Sequence, residues 1–416
     1  MPDPLPHDDP APEIPRTAAP AGLVLRVVDT VAALEALRPA WQDLQARDPE
    51  ATIFLTWEWM SQAFRANPFR WSVLVVEDPG RPGEALCLLP LKYRTRWSRS
   101  RQEFQTELEA GGRLLWSEYT GFLCHPEHEA AALAAVTDHL AAMPWVRFSM
   151  RYVAQDRRCR MFTEAFAARG FDVAYKDYLI NKKTTDNLLC PQVDLPEDFA
   201  GYLANQVSAN RRQKYARLKR DQLDSGAMRI THAEGAQFDA GLDAMIALWK
   251  LRWQEQKGAK TAERVAGNYR DVMQAAHEIG AAFLPILWKD DRPVGALGHV
   301  IDRQSGVAHF IAGGRDPAAE EKGIGQLLHF HSIDWAIGEG LICYDFCHGN
   351  ERYKYSYGAV DTPVLYFEIK RPDHDPALAF DFICAGAALE RMQEFLKKGK
   401  TDEAIKACAQ LARVLS

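Results

Sequence analysis

Residues 343–359 read CYDFCHGNERYKYSYGA. An apolar run breaks at a charged turn and enters a segment dense in Tyr, Lys, Asn and Arg, so hydrogen-bonding groups crowd the exit of a strand pattern. Upstream, RDPAAEEKGIGQLL places Gly323 and Gly325 where a helix pattern begins. Glycine admits close approach of main-chain N–H groups, and the first turn of a helix leaves its N–H donors unpaired. With Ile324 and Gln326 these glycines make an anion site suited to a pyrophosphate. The alternative, of equal weight when the glycines are read alone, is that they merely shape a loop. A third group is the basic run Arg211, Arg212, Lys214, Arg217, Lys219 and Arg220. Arg211 and Lys214 lie three apart and share a helix face, which suits a phosphate-binding stripe for a nucleotide-sugar, a lipid diphosphate or a tRNA acceptor arm. The plainer reading is a solvated helix face.

The elements that position these groups follow from periodicity. LVLRVVD opens as a strand, and TVAALEALRPAWQDLQARD follows with helical spacing behind a capping Thr. WSVLVVEDPGRPGEALCLLPLKYR is a hairpin, and helix–strand steps complete a first α/β half. The second half repeats the order: EDFAGYLANQVSANRRQKYARLKRDQLDSG as one basic helical stretch, two further helices, a hairpin turning at KDDRP, the strand GVAHFIAGG, a helix and the strand LICYDF. DTPVLYFEIKR is a late strand. The expected division is 1–22 disordered, 23–185 a first domain, 186–372 a second domain carrying the donor site, and 373–416 C-terminal helices. The halves are expected to pack through their sheets, with an acceptor cleft between them. Trp249 and Trp253 are four apart on a helix, which fits core packing, with an apolar acyl channel as the alternative.

Length and composition set the frame. The chain has 416 residues, 47% hydrophobic and 25% charged, with formal net charge −6. That describes a soluble globular protein of two or three domains whose main partner is not DNA. No apolar run approaches a membrane span and no secretory leader pattern is present, so a cytoplasmic location is expected. The eight cysteines form no CxxC pair. Cys343, Cys347 and His348 invite a metal reading, but no second cluster completes a tetrahedral site, and no metal is expected. His329 and His331 are two apart on a helix and cannot face the same way. HExxH, GxSxG and GxxxxGK[ST] motifs are absent, which removes the common zinc protease, serine hydrolase and P-loop readings.

A strand, a GxG turn, a helix, a strand, then an Asn-containing turn and YKYSYG resembles the coenzyme A-binding half of the GNAT acyltransferase superfamily. GLICYDFCHGNERYKYSYGA is similar to the closing signature of its FemAB-like/CelD-like branch, with Asp345, Gly349, Tyr353, Lys354 and Gly358 at the matching positions. Glu320 stands where the phosphate loop usually begins with Arg or Gln. The resemblance, over residues 23–370, implies tandem GNAT-like α/β domains with mixed sheets, plus the helical tail. It implies N-acyl transfer from an acyl thioester, with acyl-CoA as co-substrate, to an amino group of a small-molecule or lipid-linked sugar or cell-envelope/exopolysaccharide precursor. Peripheral association with a membrane polysaccharide-synthesis complex would fit. The alternatives are an aminoacyl-tRNA-dependent Fem-type transferase and a non-catalytic scaffold.

The implied roles follow. An attacking amine must lose a proton, the oxyanion must be stabilised and the leaving group protonated. Lys354 supplies positive charge as a cleft side chain that adds little to the core. Tyr353 or Tyr355 gives a proton, and Asp345, His348 or Glu351 accepts one. Gly323, Ile324, Gly325, Gln326 and Asn350 hold the donor, while Arg211, Arg212, Lys214, His348 and Glu351 bind the acceptor.

Overall fold

The computed structural model describes residues 17–18, 22–81 and 83–415. The expected disorder of residues 1–22 falls almost wholly outside them. The first half builds a sheet from β1 (Val24–Val28), β2 (Trp71–Glu77), β3 (Ala85–Ser98), β4 (Glu103–Ala110), β5 (Arg147–Val153) and β6 (Asp172–Tyr175). The helices α1 (Val31–Arg47), α2 (Trp57–Arg65), α3 (Glu129–Ala142) and α4 (Asp156–Ala167) lie between its strands in sequence. Thr30 caps α1 as the sequence suggested, its hydroxyl accepting from Ala33 N at 3.3 Å. The hairpin turning at residues 78–84 is β2–β3.

The second half starts with β7 (Leu189–Asp194), then α5 (Phe199–Gln206) and α6 (Ala209–Leu218). The single basic helix read from sequence is thus two helices. Buried Val207 adopts an extended conformation between them, and Ser208 starts the second. Next come β8 (Arg229–His232), α7 (Phe238–Lys257), α8 (Ala259–Glu278), β9 (Pro285–Lys289), β10 (Arg292–Asp302), β11 (Val307–Arg315), α9 (Ile324–Gly338), β12 (Cys343–Asp345) and β13 (Val360–Pro363). Their sheet runs β8-β9-β10-β11-β12-β7-β13. Architecture is repeated between the halves, down to one parallel pair in each sheet, β4 with β5 and β11 with β12.

Two features of the second sheet open a site. β11 and β12 pair only from Val307–Cys343 to His309–Asp345 and then part. Beyond that point β11 is bulged. Gly298 pairs with Ala312 and His299 with Phe310, which leaves Ile311 as the extra residue.

The expected boundary at residue 372 needs correction. The late strand splits, and its second piece, β14 (Leu365–Lys370), pairs with β5 and β6 in the first sheet. Phe367 and Ile369 alternate onto the same buried face as Phe148 and Met150, which supplies the reason. The tail helices α10 (Ala385–Lys397) and α11 (Thr401–Leu415) pack there too, with Phe395 and Leu411 in the cluster that holds Phe104 and Phe148. The halves meet through one shared core, which takes in strand residues of both sheets such as Val73, Val75, Ala296 and Val300. Phe54, Trp59 and Tyr119 share one core cluster with Leu242, Met273 and Cys347. The main-chain N–H of Ile53 donates to Asp302 at 2.7 Å, and Gln62 donates to the Ala275 carbonyl at 3.1 Å. α2 and the loops beside it therefore form part of the joint. Among the described residues no helix is long and apolar enough to cross a membrane.

Candidate active site

A cavity of about 860 Å³ lies between the halves. The second half supplies Phe310 to Arg315 of β11, the turn Gly323 to Gln326, and Trp249 and Trp253 of α7. The bulge explains why consecutive residues of β11 reach the wall, where a regular strand would show alternate ones. The first half supplies Arg113, Trp116, Glu118, Tyr152, Tyr178 and Asn181. Trp116, Tyr152, Asn181 and Cys347 all line this space with positive φ, at 55, 69, 51 and 53°. Side chains at such φ cost roughly 1–3 kcal/mol each and cluster at functional sites. A larger groove of about 1270 Å³ on the first half contains none of the candidate residues. Its Arg94, Arg96 and Arg147 are already paired with Glu109, Glu107 and Glu368.

The GxG turn forms as expected at the start of α9. Gly323 has φ +85°, and a Cβ there would stand 2.4 Å from Leu218, so both backbone shape and close packing require glycine. At Gly325 a Cβ would meet nothing within 4 Å. Gln326 is 7% exposed; its Oε1 accepts from Arg211 Nη1 at 3.4 Å, and its Nε2 is buried without a partner. An orphaned donor beside free helix N–H groups, with Arg252 and Arg315 on the same cavity wall, suits a phosphate-bearing ligand. The acidic residues of the turn do not spoil this uniformly, since Glu321 is ion-paired with Lys289. Gly325→Val is expected to leave the melting temperature within about 1 °C yet weaken donor binding by tenfold or more. Gly323→Ala should lower stability by about 1–3 kcal/mol, read by urea denaturation.

The strand exit folds differently from the expectation. Asp345 is fully buried and outside the cavity lining. Its Oδ2 accepts from the Tyr119 hydroxyl at 2.5 Å and from His309 Nδ1 at 3.0 Å, and its Oδ1 accepts from Cys347 N at 2.7 Å. Burial would raise its pKa, but the His309 pairing and the Tyr119 hydroxyl outweigh it and hold the carboxyl below its usual value. Asp345 is thus a clamp between the halves. Lys354, expected as a cleft side chain, is only 3% exposed. Its ammonium donates to the carbonyls of Cys347 (3.3 Å), His348 (2.8 Å) and Gly349 (2.8 Å) and pairs with Glu351 at 3.0 Å. It lines the cavity while fixing the turn that Gly349 makes at φ +95°.

Residues 354–357 form a 3₁₀ turn, whose period of three sets Lys354 and Tyr357 on one side and Tyr355 on another. Tyr353 and Tyr357 line the cavity, whereas the Tyr355 hydroxyl donates to Asp361 at 2.6 Å, outside it. Asn350, assigned to the cofactor, instead accepts from Asp186 N at 2.8 Å and fastens the turn to the segment joining the halves. His348 and Glu351 do reach the cavity wall.

The basic run divides. Arg211 reaches Gln326 of the GxG turn. Arg212 donates to the carbonyls of Leu203 (3.1 Å), Ala204 (3.1 Å) and Val207 (2.5 Å), the open end of α5. Lys214 is exposed, and Lys219 and Arg220 pair with Asp224 and Asp221. Arg212→Ala is therefore expected to lower stability by about 1–2 kcal/mol and leave the acceptor KM unchanged, a result separated by denaturation and steady-state kinetics. Trp249 is buried in the core and Trp253 packs against the same cluster, as expected of core residues, and both also line the cavity. Arg252 and Lys257 sit over the Trp253 ring at 4.9 and 5.2 Å.

Glu118 was not singled out from sequence, because WSEYTGF carries no motif. Burial pushes its pKa up to about 7; Arg113 opposes this and Asp345 adds to it. Its carboxylate lies 3.1 Å from His348 Nε2, which also contacts the Glu118 carbonyl at 2.5 Å. His348 stacks on Tyr152 at 3.6 Å, and burial pushes its pKa down to about 3, so it is neutral here. The cavity therefore joins the glycine turn at the start of α9 in one half to a carboxylate whose pKa lies near 7 in the other.

Residues 209–355 match the family described as acetyltransferase (GNAT) domain. FemX superposes with a TM-score of 0.57 at 12% identity, over 79% of this chain and 95% of FemX. A conserved protein of unknown function from Bacteroides thetaiotaomicron superposes with a TM-score of 0.50 at 13% identity, over 83% of this chain and 99% of that one. A tandem GNAT protein from the clavulanic acid biosynthesis pathway gives 0.46 at 12% identity, over 84% and 99%. No curated protein sequence matches the chain. The parted strands, the GxG turn and the bulged strand all fall within the residues that match the GNAT family. The chain therefore carries a match to a GNAT domain over residues 209–355, within a fold that it shares with FemX.

Proposed function

We propose that the protein transfers an acyl group from a thioester on a phosphopantetheine carrier, with coenzyme A the preferred one, to an amine. The observation that carries this is the single cavity shared by the Gly323–Gln326 turn and Glu118. Phosphates of the carrier bind the α9 N-terminus, Gln326 and the guanidinium groups of Arg252 and Arg315, and the arm runs between the parted β11 and β12. The amine nitrogen attacks the thioester carbonyl and its proton passes to Glu118, whose pKa near 7 suits a base at neutral pH. Main-chain N–H groups along the bulged strand, in the field of the Lys354 ammonium, face the developing oxyanion. As the C–S bond breaks, the thiolate takes a proton from the Tyr353 hydroxyl, and the proton held by Glu118 returns to the tyrosinate through solvent, which restores both groups. The products are an amide and a free thiol.

The acceptor side is walled by Trp116 and Tyr178, whose flat rings suit the face of a sugar, with Asn181 beside them. This supports an amino sugar or related envelope precursor, small or lipid-linked, acted on in the cytoplasm. The test is a thiol-release assay with acetyl-CoA and a panel of amino sugars, run beside charged tRNA as competing donor. Thiol release dependent on an amine supports the reading, whereas transfer from charged tRNA alone overturns the carrier assigned.

A further inference from the structure

Behind the cavity wall a buried hydrogen-bond chain crosses the second half. His299 Nδ1 lies 3.3 Å from the Phe283 carbonyl, and His299 Nε2 lies 2.8 Å from the Tyr344 hydroxyl. The same hydroxyl lies 3.0 Å from His329 Nδ1. A carbonyl only accepts, so the first contact fixes the proton of His299 on Nδ1. His299 is neutral, burial pushing its pKa down to about 3, so its Nε2 can only accept. Tyr344 must then donate to His299, and its oxygen is left to accept from His329 Nδ1–H. His329 is itself kept neutral by burial. Every step of the chain has one direction, and it ends with an unprotonated Nε2 on His329.

His329 lines the cavity and lies four residues past Gly325 on α9, one turn below the anion-binding end. Around the ring stand Phe310, Phe346, Tyr353 and Tyr357, with centroids 4.8 to 5.9 Å away. A nitrogen that lines the cavity from an aromatic wall and has only a lone pair to offer is a site for an N–H donor. We propose that His329 Nε2 is a dedicated acceptor for an amide N–H of the acyl carrier's arm, its tautomer locked from behind by Tyr344, His299 and the Phe283 carbonyl. His329 is a substrate-contacting residue and Tyr344 a positioning residue. The assignment rests on the donor reading of the cavity.

The test has two independent parts. Long-range proton–nitrogen NMR of protein labelled with ¹⁵N-histidine should show His329 as the Nδ1–H tautomer at pH 7, and Tyr344→Phe should release it into a mixture. A dominant Nε2–H tautomer in the wild type would overturn the lock. Coenzyme A titrated into the full chain by calorimetry should bind His329→Phe about tenfold more weakly than wild type, with part of the loss restored in His329→Gln, whose carbonyl reaches the Nε2 position. Equal affinity of wild type and His329→Phe would overturn the contact alone. Absence of coenzyme A binding to the wild type would overturn the donor reading as well.

Discussion

Glu118→Gln is expected to lower kcat by about 10²–10⁴-fold while leaving donor affinity within a factor of two or so. The wild-type rate should rise with pH through about 7 and then level off, because only the ionised carboxylate takes the amine proton. The variant should lose that limb and keep only the titration of the amine itself. Stability should move the opposite way. The folded pKa of Glu118 is raised above its ordinary value of 4.5, so the unfolded chain ionises this group at lower pH than the native one. Stability is complete below the unfolded value and falls as pH rises toward about 7, by up to about 3 kcal/mol. Gln carries no such penalty. A variant that is less active at every pH and more stable at pH 8 than the wild type is the combined signature, read from rate profiles and urea denaturation. An unchanged pH profile would remove Glu118 from proton transfer.

Lys354→Met is expected to destabilise the protein by about 3–5 kcal/mol in addition to abolishing most turnover. The ammonium is buried against three carbonyls and a carboxylate. Removing it strands an unpaired charge on Glu351 and unsatisfied oxygens on Cys347, His348 and Gly349. His348, which holds Glu118, belongs to that turn, so the base loses its setting even where the chain still folds. Lys354→Arg should recover part of the stability and less of the activity, since a planar fork cannot replace a compact ammonium among three converging carbonyls. Urea midpoints and rates measured together separate the two effects. A Met variant with the wild-type midpoint would show that the clamp contributes nothing to the fold.

Local chemistry was legible in the sequence, and chemistry assembled across the fold was not. Gly323 and Gly325 could be read directly, because a left-handed residue and an open helix start depend only on neighbours in the chain. The hairpins and the Thr30 cap were readable for the same reason. Glu118 was invisible, since its pKa is set by burial against groups such as Arg113, Asp345 and Lys354, and its partner His348 lies 230 positions away. That Tyr355 points away from the cavity while Tyr357 lines it follows from a 3₁₀ period that an aromatic-rich segment does not announce. Arg212 looked like a ligand because a charge run does not show that α5 ends at Val207 and needs its carbonyls capped. β14 was placed in the wrong half because alternation fixes which face of a strand is buried, but not against which sheet.

The central claim is that both halves build one site, with the carrier held by the second and the base supplied by the first. A crystal structure of the protein soaked with acetyl-CoA tests it directly. The diphosphate should lie on the main-chain N–H groups of Gly325 and Gln326, and the thioester should lie between the parted strands within reach of Glu118. Coenzyme density in the first half, or a thioester at the Gly323–Gln326 turn pointing away from Glu118, would contradict it.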